Sequence, residues 1–230
     1  VSALRLAALA TLVLLTAAAP AEPVMLSPQD LDPAHVLPPP PAANSAQARA
    51  KLAELQATDR ARTPAGRAIA LQDSETKNAS IFADVLGPRF DLAKLPATAR
   101  LMGIVRATEK DAADRAKAHF RRNRPWVVAP QLHHCGKDDD AAWSSYPSGH
   151  TTMGFSMGAI LARLEPAKAE AIMARAARYG ESRIACEVHF RSDVTAGETL
   201  GLVVAERLMT KPEFQAAFAA ASDELHAAGL

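Results

Sequence analysis

Residues 147–164 read PSGHTTMGFSMGAILARL, and this stretch decides the fold. Met153, Met157, Ile160, Leu161 and Leu164 recur three and four residues apart, the stripe of a helix with one buried face. Pro147 blocks helix entry before Ser148, and Ser148 is a good N-cap. Gly154 and Gly158 sit one turn apart on this helix. A second pair at the same spacing, Gly197 and Gly201, lies in a later helical stretch with Leu200, Val203, Val204 and Leu208 on one face. A missing Cβ lets helix axes approach closely, so these two helices are predicted to pack tightly against one another.

The pattern stays helical outward from this pair. Ser45 can cap a helix over 47–58, and Thr63-Pro64 starts another toward Gln72. A short helix is predicted over 80–86, ending near Gly87-Pro88. Pro96 opens a long one to about Arg122, which Asn123-Arg124-Pro125 ends because a residue before proline avoids the α region. Residues 126–146 read as a loop. Further helices follow over 167–179, from Ser192 or Asp193 onward, and over 213–228. Alternating strand patterns are almost absent and no internal repeat is visible. The reading is all-α, a single-domain helical bundle over 45–230, preceded by an extended Pro-rich arm over 22–44 that includes Pro38-Pro39-Pro40-Pro41.

The 230 residues are 49% hydrophobic and 22% charged, which excludes a disordered or collagen-like chain. A net charge of +1 leaves no electrostatic footprint for nucleic acid or an anionic membrane surface. Residues 1–21 carry one charge, Arg5, then the apolar run Leu6–Leu15 and the small residues around Ala19-Pro20-Ala21. They read as a secretory signal peptide, the alternative being an uncleaved anchor. No later segment is apolar enough to span a bilayer, so the expectation is an exported protein without stable membrane insertion. In an oxidising compartment Cys135 and Cys186 are expected to form one disulfide, closing a loop of about 50 residues, rather than remain two buried thiols.

Three blocks carry chemistry. Lys117 and Arg124 are seven apart, nearly two helical turns, so they are expected on one stripe, with Arg124 pointing off the helix end. Pro147-Ser148-Gly149-His150 places unpaired amides at a helix start, a ready anion site with His150 beside it. Ser182-Arg183 is followed by His189 and Asp193, four apart, so the carboxylate can hold one imidazole nitrogen and leave the other as base or nucleophile. His133, His134 and Asp138–Asp140 resemble a metal site superficially, but adjacent histidines diverge in most backbones and an acidic run is usually a solvated loop.

In this order and spacing, Lys117-x6-Arg124-Pro125, Pro147-Ser148-Gly149-His150 and Ser182-Arg183-x5-His189-x3-Asp193 resemble the tripartite signature of the type-2 phosphatidic acid phosphatase superfamily. That superfamily includes bacterial acid phosphatases, lipid phosphatases and vanadium haloperoxidases. The leader, Leu37-Pro38-Pro39-Pro40-Pro41, Tyr179-Gly180-Glu181-Ser182-Arg183 and the cysteine placement are more similar to the class A non-specific acid phosphatases, with 42–116 matching more loosely.

The resemblance implies a periplasmic or secreted enzyme acting on small-molecule phosphomonoesters of broad range. Lys117, Arg124, Ser148, Gly149 and Arg183 would bind phosphate, His189 would become a phosphohistidine, Asp193 would orient it, and His150 would serve as acid and base. No metal or other cofactor is required by this scheme, although vanadate or phosphate can occupy the site as inhibitor. Asp193 would raise the pKa of His189 and the cations would lower it, a balance the sequence leaves open. Phosphotransfer to alcohols and assembly into a homo-oligomer are further implications. The alternatives are a vanadate-dependent haloperoxidase and a non-enzymatic exported module that binds phosphate; the latter would have no need for His150, His189 and Asp193.

Overall fold

A computed structural model describes residues 22–135 and 141–230. The signal-peptide reading of 1–21 and the acidic run Asp138–Asp140 fall outside the described residues. The elements are α1 (Pro33–Val36), α2 (Ala46–Ala61), α3 (Pro64–Glu75), a 3-10 turn Ala79–Phe82 continuing into α4 (Ala83–Leu86), α5 (Pro96–Phe120), α6 (Pro125–Val128), α7 (Gly149–Leu164), a 3-10 turn Pro166–Lys168, α8 (Ala169–Ala185), α9 (Arg191–Leu208) and α10 (Pro212–Ala227). No strand occurs among the described residues, and the fold is all-α.

Local chemistry sets the helix ends. Ser45 and Thr63 accept the N–H groups of Ala48 and Gly66, and Pro64, Pro96 and Pro212 occupy first-turn positions that need no N–H donor. The start of α5 is capped from another element: the Glu224 carboxylate on α10 accepts the Ala97 and Thr98 N–H groups at 2.9 and 2.8 Å. Helix α5 stops at Phe120 because Arg121 turns into the left-handed region, with φ 46°.

Helix α7 is the central element and touches α5, α8 and α9. The Cβ that Gly197 lacks would sit 2.7 Å from the Ser148 carbonyl, and that of Gly201 2.6 Å from the Thr152 carbonyl, so α9 rests directly on the α7 backbone. The other glycine pair faces elsewhere. A Cβ on Gly154 would meet the Tyr179 ring at 3.0 Å, and one on Gly158 would meet Ala176 and Phe82 at 3.3 Å. Each pair therefore serves a different contact, α9 against α7 and α8 against α7.

The arm adds core as well as surface. Leu26, Leu31 and Leu37 are buried in the main apolar cluster with Ile104, Met153, Met157 and Leu200. The arm also forms the turn of α1 and is tied down by polar contacts. The Tyr146 hydroxyl donates to the Pro38 carbonyl at 2.6 Å, and the Met25 N–H donates to the Thr108 hydroxyl at 3.1 Å. Cys135 and Cys186 form a disulfide, with the Cys135 N–H donating to the Cys186 carbonyl at 2.9 Å.

Candidate active site

A cavity of about 190 Å³ opens where α5, the start of α6, the start of α7 and the α8–α9 connection converge. Its walls include Lys117, Arg124, Gly149, His150 and His189, which the sequence scatters over 73 positions. The sequence expectation that Lys117 and Arg124 share a helix stripe is corrected. Helix α5 ends three residues after Lys117, and Arg124 has extended backbone as the residue capping α6. The left-handed Arg121 turn brings the chain round, so the two cations reach one cavity from different elements.

Arg124 is buried and its guanidinium is fixed. Nε and Nη2 donate to the Ser144 hydroxyl at 3.3 and 3.1 Å, Nη1 donates to the Val188 carbonyl at 3.0 Å, and Nη1 lies 2.9 Å from His189 Nε2. Lys117 lies against the first turn of α7, where a Cβ on Gly149 would fall 3.3 Å from its Nζ. A side chain at 149 would thus crowd the Lys117 ammonium at the start of α7. Ser148 is buried and caps α7, its hydroxyl 3.4 Å from the Thr151 N–H and 2.9 Å from the Thr151 hydroxyl. Arg183 on α8 is buried and lies close enough to both histidines to act on their titration.

The tautomer of His189 follows from its neighbours. Nδ1 lies 2.7 Å from the Ser145 carbonyl, which can only accept, so Nδ1 carries the proton and the Nε2 lone pair accepts from Arg124 Nη1. The expected hold by Asp193 is present as a contact at ion-pair distance rather than a hydrogen bond. Its Oδ2 lies 3.6 Å from Nδ1, beyond a hydrogen bond, because the carboxylate is taken by other donors. Oδ2 accepts from the Ser145 hydroxyl at 2.6 Å and the Phe190 N–H at 2.8 Å, and Oδ1 accepts from Arg122. Asp193 therefore fixes Ser145 and the first turn of α9, and the Ser145 carbonyl fixes the imidazole. His150 is held similarly: Nε2 donates to the Ser74 carbonyl at 3.0 Å, leaving Nδ1 as its second position for a proton.

Electrostatics favour neutral imidazoles. Burial, then Arg124, Arg183 and Lys117, hold His189 well below its ordinary value. Burial, then Arg183, does the same to His150, opposed by the Ser74 carbonyl. The balance left open by the sequence thus falls on the lowering side for His189. Burial pushes Asp193 up to about 6, against the pull of Arg122, Ser145 and the Phe190 N–H.

Sequence reasoning passed over Ser74, Arg122, Ser144 and Ser145, and also Lys77, Arg106 and Glu109 in the cavity wall. Ser144-Ser145 adjoin Tyr146-Pro147-Ser148, and Arg121-Arg122 adjoin Arg124, so proximity to the blocks was the available signal. Of the residues read as a superficial metal site, His133 pairs with Asp59 at 3.4 Å, while His134 stacks on Trp126 with ring centroids 4.8 Å apart.

Comparison with known proteins gives a consistent picture. An acid phosphatase of Zymomonas mobilis subsp. mobilis is 37% identical over 171 residues, covering 72% of this chain and 65% of that protein. A non-specific acid phosphatase of Salmonella typhimurium is 32% identical over 154 residues, covering 64% and 60%. The chain thus spans somewhat less than two thirds of the length of these relatives. Among solved structures, the fold is similar to the first transmembrane PAP2 type phosphatidylglycerolphosphate phosphatase from Bacillus subtilis, with a TM-score of 0.54, 21% identity, and 71% and 85% of the two chains covered. Aquifex aeolicus LpxE gives a TM-score of 0.54 at 20% identity, with 70% and 94% covered. No helix among the described residues is long and apolar enough to cross a membrane. The sequence pattern of the PAP2 superfamily matches residues 98–215, just over half of the chain and the span that holds Lys117, Arg124, the start of α7, Arg183, His189 and Asp193, and the chain belongs to that superfamily.

Proposed function

We propose that the chain is an acid phosphatase that hydrolyses phosphomonoesters of broad range through a phosphohistidine at His189. The observation that carries this reading is the Nδ1-protonated His189, which lines a cavity with Lys117 and Arg124 and whose unprotonated Nε2 lies 2.9 Å from the Arg124 guanidinium that would hold the phosphoryl group beside it. In the first step the Nε2 lone pair attacks phosphorus and the P–O ester bond breaks. The departing oxygen keeps the bonding pair and takes a proton from His150 Nδ1. In the second step water attacks phosphorus, returns a proton to His150, and the P–N bond breaks to release phosphate and neutral His189. Lys117, Arg124, Arg183 and the amides at Gly149 stabilise the charge spread over the phosphoryl oxygens. The Ser148 hydroxyl contributes through the cap it makes on those amides.

The lowered His189 pKa keeps the nucleophile neutral in mild acid. His150 needs the opposite state. A bound phosphate dianion supplies negative charge beside it, opposes Arg183, and raises its proton affinity at the moment it must act as acid. An alcohol in place of water in the second step gives phosphotransfer. The scheme draws every proton and charge from side chains and needs no metal; vanadate, which adopts the trigonal-bipyramidal shape of the transition state, is expected to inhibit. The Cys135–Cys186 disulfide supports an oxidising, periplasmic or secreted location.

The test is hydrolysis of p-nitrophenyl phosphate from acidic to neutral pH with EDTA present, for the wild type beside His189→Ala. Expected are turnover that survives EDTA and a loss of at least about 10³-fold in the variant, the scale seen when a nucleophile is removed. Turnover abolished by EDTA would overturn the metal-independent scheme, and a variant as active as the wild type would remove His189 from the chemistry.

A further inference from the structure

One side of the cavity wall is not used by the two-step scheme. Beyond Lys117, toward the mouth, it is built by Arg106, Glu109, Lys110 and Asp114 of α5 and by Lys77, which follows α3. Arg106, Glu109, Ala113 and Lys117 recur at three- and four-residue spacing, so this wall is one face of α5 running outward from the phosphate end.

Glu109 is the unusual member. It is completely buried, it accepts from Arg106 through Oε1, and its Oε2 has no hydrogen-bond partner. A buried carboxyl with one orphan oxygen is costly, and an apolar residue of similar size would serve stability better. What the Arg106–Glu109 pair does provide is a guanidinium held in one orientation. Arg106 keeps 31% of its side chain exposed while Glu109 lies beneath it. Its carboxylate takes Nη1 of the fork and leaves further N–H donors on a side chain that is partly exposed in the cavity wall. Lys110 differs, because it is tied to Asp114 on the same helix. Apart from its two histidines, the described cavity wall has no aromatic ring against which an aryl leaving group could stack.

Resting on the phosphatase reading above, we propose that Arg106, braced by Glu109, and Lys77 form a second oxyanion subsite at the cavity mouth, which selects phosphomonoesters whose leaving group carries its own carboxylate or phosphate. Arg106 is the leaving-group contact, since a planar guanidinium matches an oxyanion fork to fork. Glu109 is a positioning residue that acts through Arg106. Lys77 adds a point charge from the segment after α3. The transferred phosphoryl group remains with Lys117, Arg124, His150 and His189, so the two anionic ends of such a substrate each meet cations of their own.

The experiment compares kcat/KM within matched pairs. 3-Phosphoglycerate against glycerol 3-phosphate differs by a carboxylate, and fructose 1,6-bisphosphate against fructose 6-phosphate differs by a phosphate. The wild type is expected to prefer the more anionic member of at least one pair by about 10-fold or more, the scale of one charge-assisted hydrogen bond. Which pair shows it identifies the oxyanion. The preference should shrink at high ionic strength. In Arg106→Gln the ratio should fall to within about threefold of one, and in Glu109→Gln to an intermediate value carried by KM rather than kcat. Any loss common to both members cancels in the ratio. If Arg106→Gln does not fold, Lys77→Gln, at an exposed position, carries the test through the same ratio. A wild type that hydrolyses the less anionic esters with no preference in either pair, or a preference unchanged in Arg106→Gln and Lys77→Gln, overturns the subsite and leaves the phosphatase reading standing. A folded wild type that hydrolyses none of the four esters overturns the phosphatase reading itself.

Discussion

Glu187 lies two residues before His189 with φ at 57° and a completely buried side chain. It faces the Asp59 carboxyl and, at 2.9 Å, Arg62 Nη1. Burial, then Asp59, pushes Glu187 up to about 7, against the pull of Arg62. Glu187 therefore binds its proton more tightly than an ordinary glutamate. Between the ordinary glutamate value and about 7 the folded state holds a proton that the unfolded state has lost. This contribution to stability is complete below the ordinary value and is lost as pH rises through about 7. Glu187→Gln removes the titrating carboxyl and stays neutral at every pH. The variant should match the wild type in melting temperature near pH 5 and exceed it by about 2–6 °C near pH 8. A gap that stays constant across that range would show that Glu187 does not gain a proton on folding.

At the scale of elements, the contact that matters most for the site is α9 on α7. A methyl at Gly197 meets the Ser148 carbonyl at 2.7 Å and Thr151 Cβ at 2.8 Å, backbone and core that cannot swing aside. Gly197→Ala should cost about 1–3 kcal/mol, and because Ser148 caps the turn that presents Gly149, it should also reduce the rise in melting temperature produced by inorganic phosphate. Gly201→Ala meets the Thr152 carbonyl one turn further along. It should destabilise similarly with a smaller effect on the phosphate-induced shift; equal effects from both would separate helix spacing from the anion site. The helices themselves were legible in the sequence, because capping serines and threonines, first-turn prolines and three-four spacing act locally. So were the five cavity residues of the three blocks, since each stands in a spaced motif. The partner of each glycine pair was not, because spacing gives a face but no direction. Nor was the role of Ser145, which acts on His189 through its backbone carbonyl, a group every residue has. The left-handed turn at Arg121 was hidden for a related reason, as no glycine or asparagine marks it.

For the whole molecule, the site is only as firm as the ties between distant segments that form its walls. The wall carrying His189 follows directly from Cys186, and the disulfide joins it to Cys135 across a separation of 51 residues. Side chains of the early helices reinforce the same place. Arg62 donates to the Ala185 carbonyl at 2.6 Å and the His133 carbonyl at 3.1 Å, and Arg67 donates to the His133 carbonyl at 2.8 Å. On the other side of α8, Asp73 accepts from Arg175 at 2.6 Å and from the Ser182 hydroxyl at 2.5 Å, next to Arg183. The disulfide and the arginine clamp therefore act in parallel. In the chain-entropy picture the disulfide contributes on the order of 4 kcal/mol, which for a chain of this size corresponds to a fall of about 8–16 °C in melting temperature on reduction. Below that lowered transition the arginine clamp should keep His189 in place, so phosphatase activity should persist in reductant at low temperature and disappear at a temperature the oxidised protein tolerates. Melting curves and p-nitrophenyl phosphate turnover, each with and without dithiothreitol, check this. Loss of activity on reduction at low temperature, with the fold intact by circular dichroism, would mean that the disulfide alone sets the His189 wall. An unchanged melting temperature would assign that task to Arg62 and Arg67.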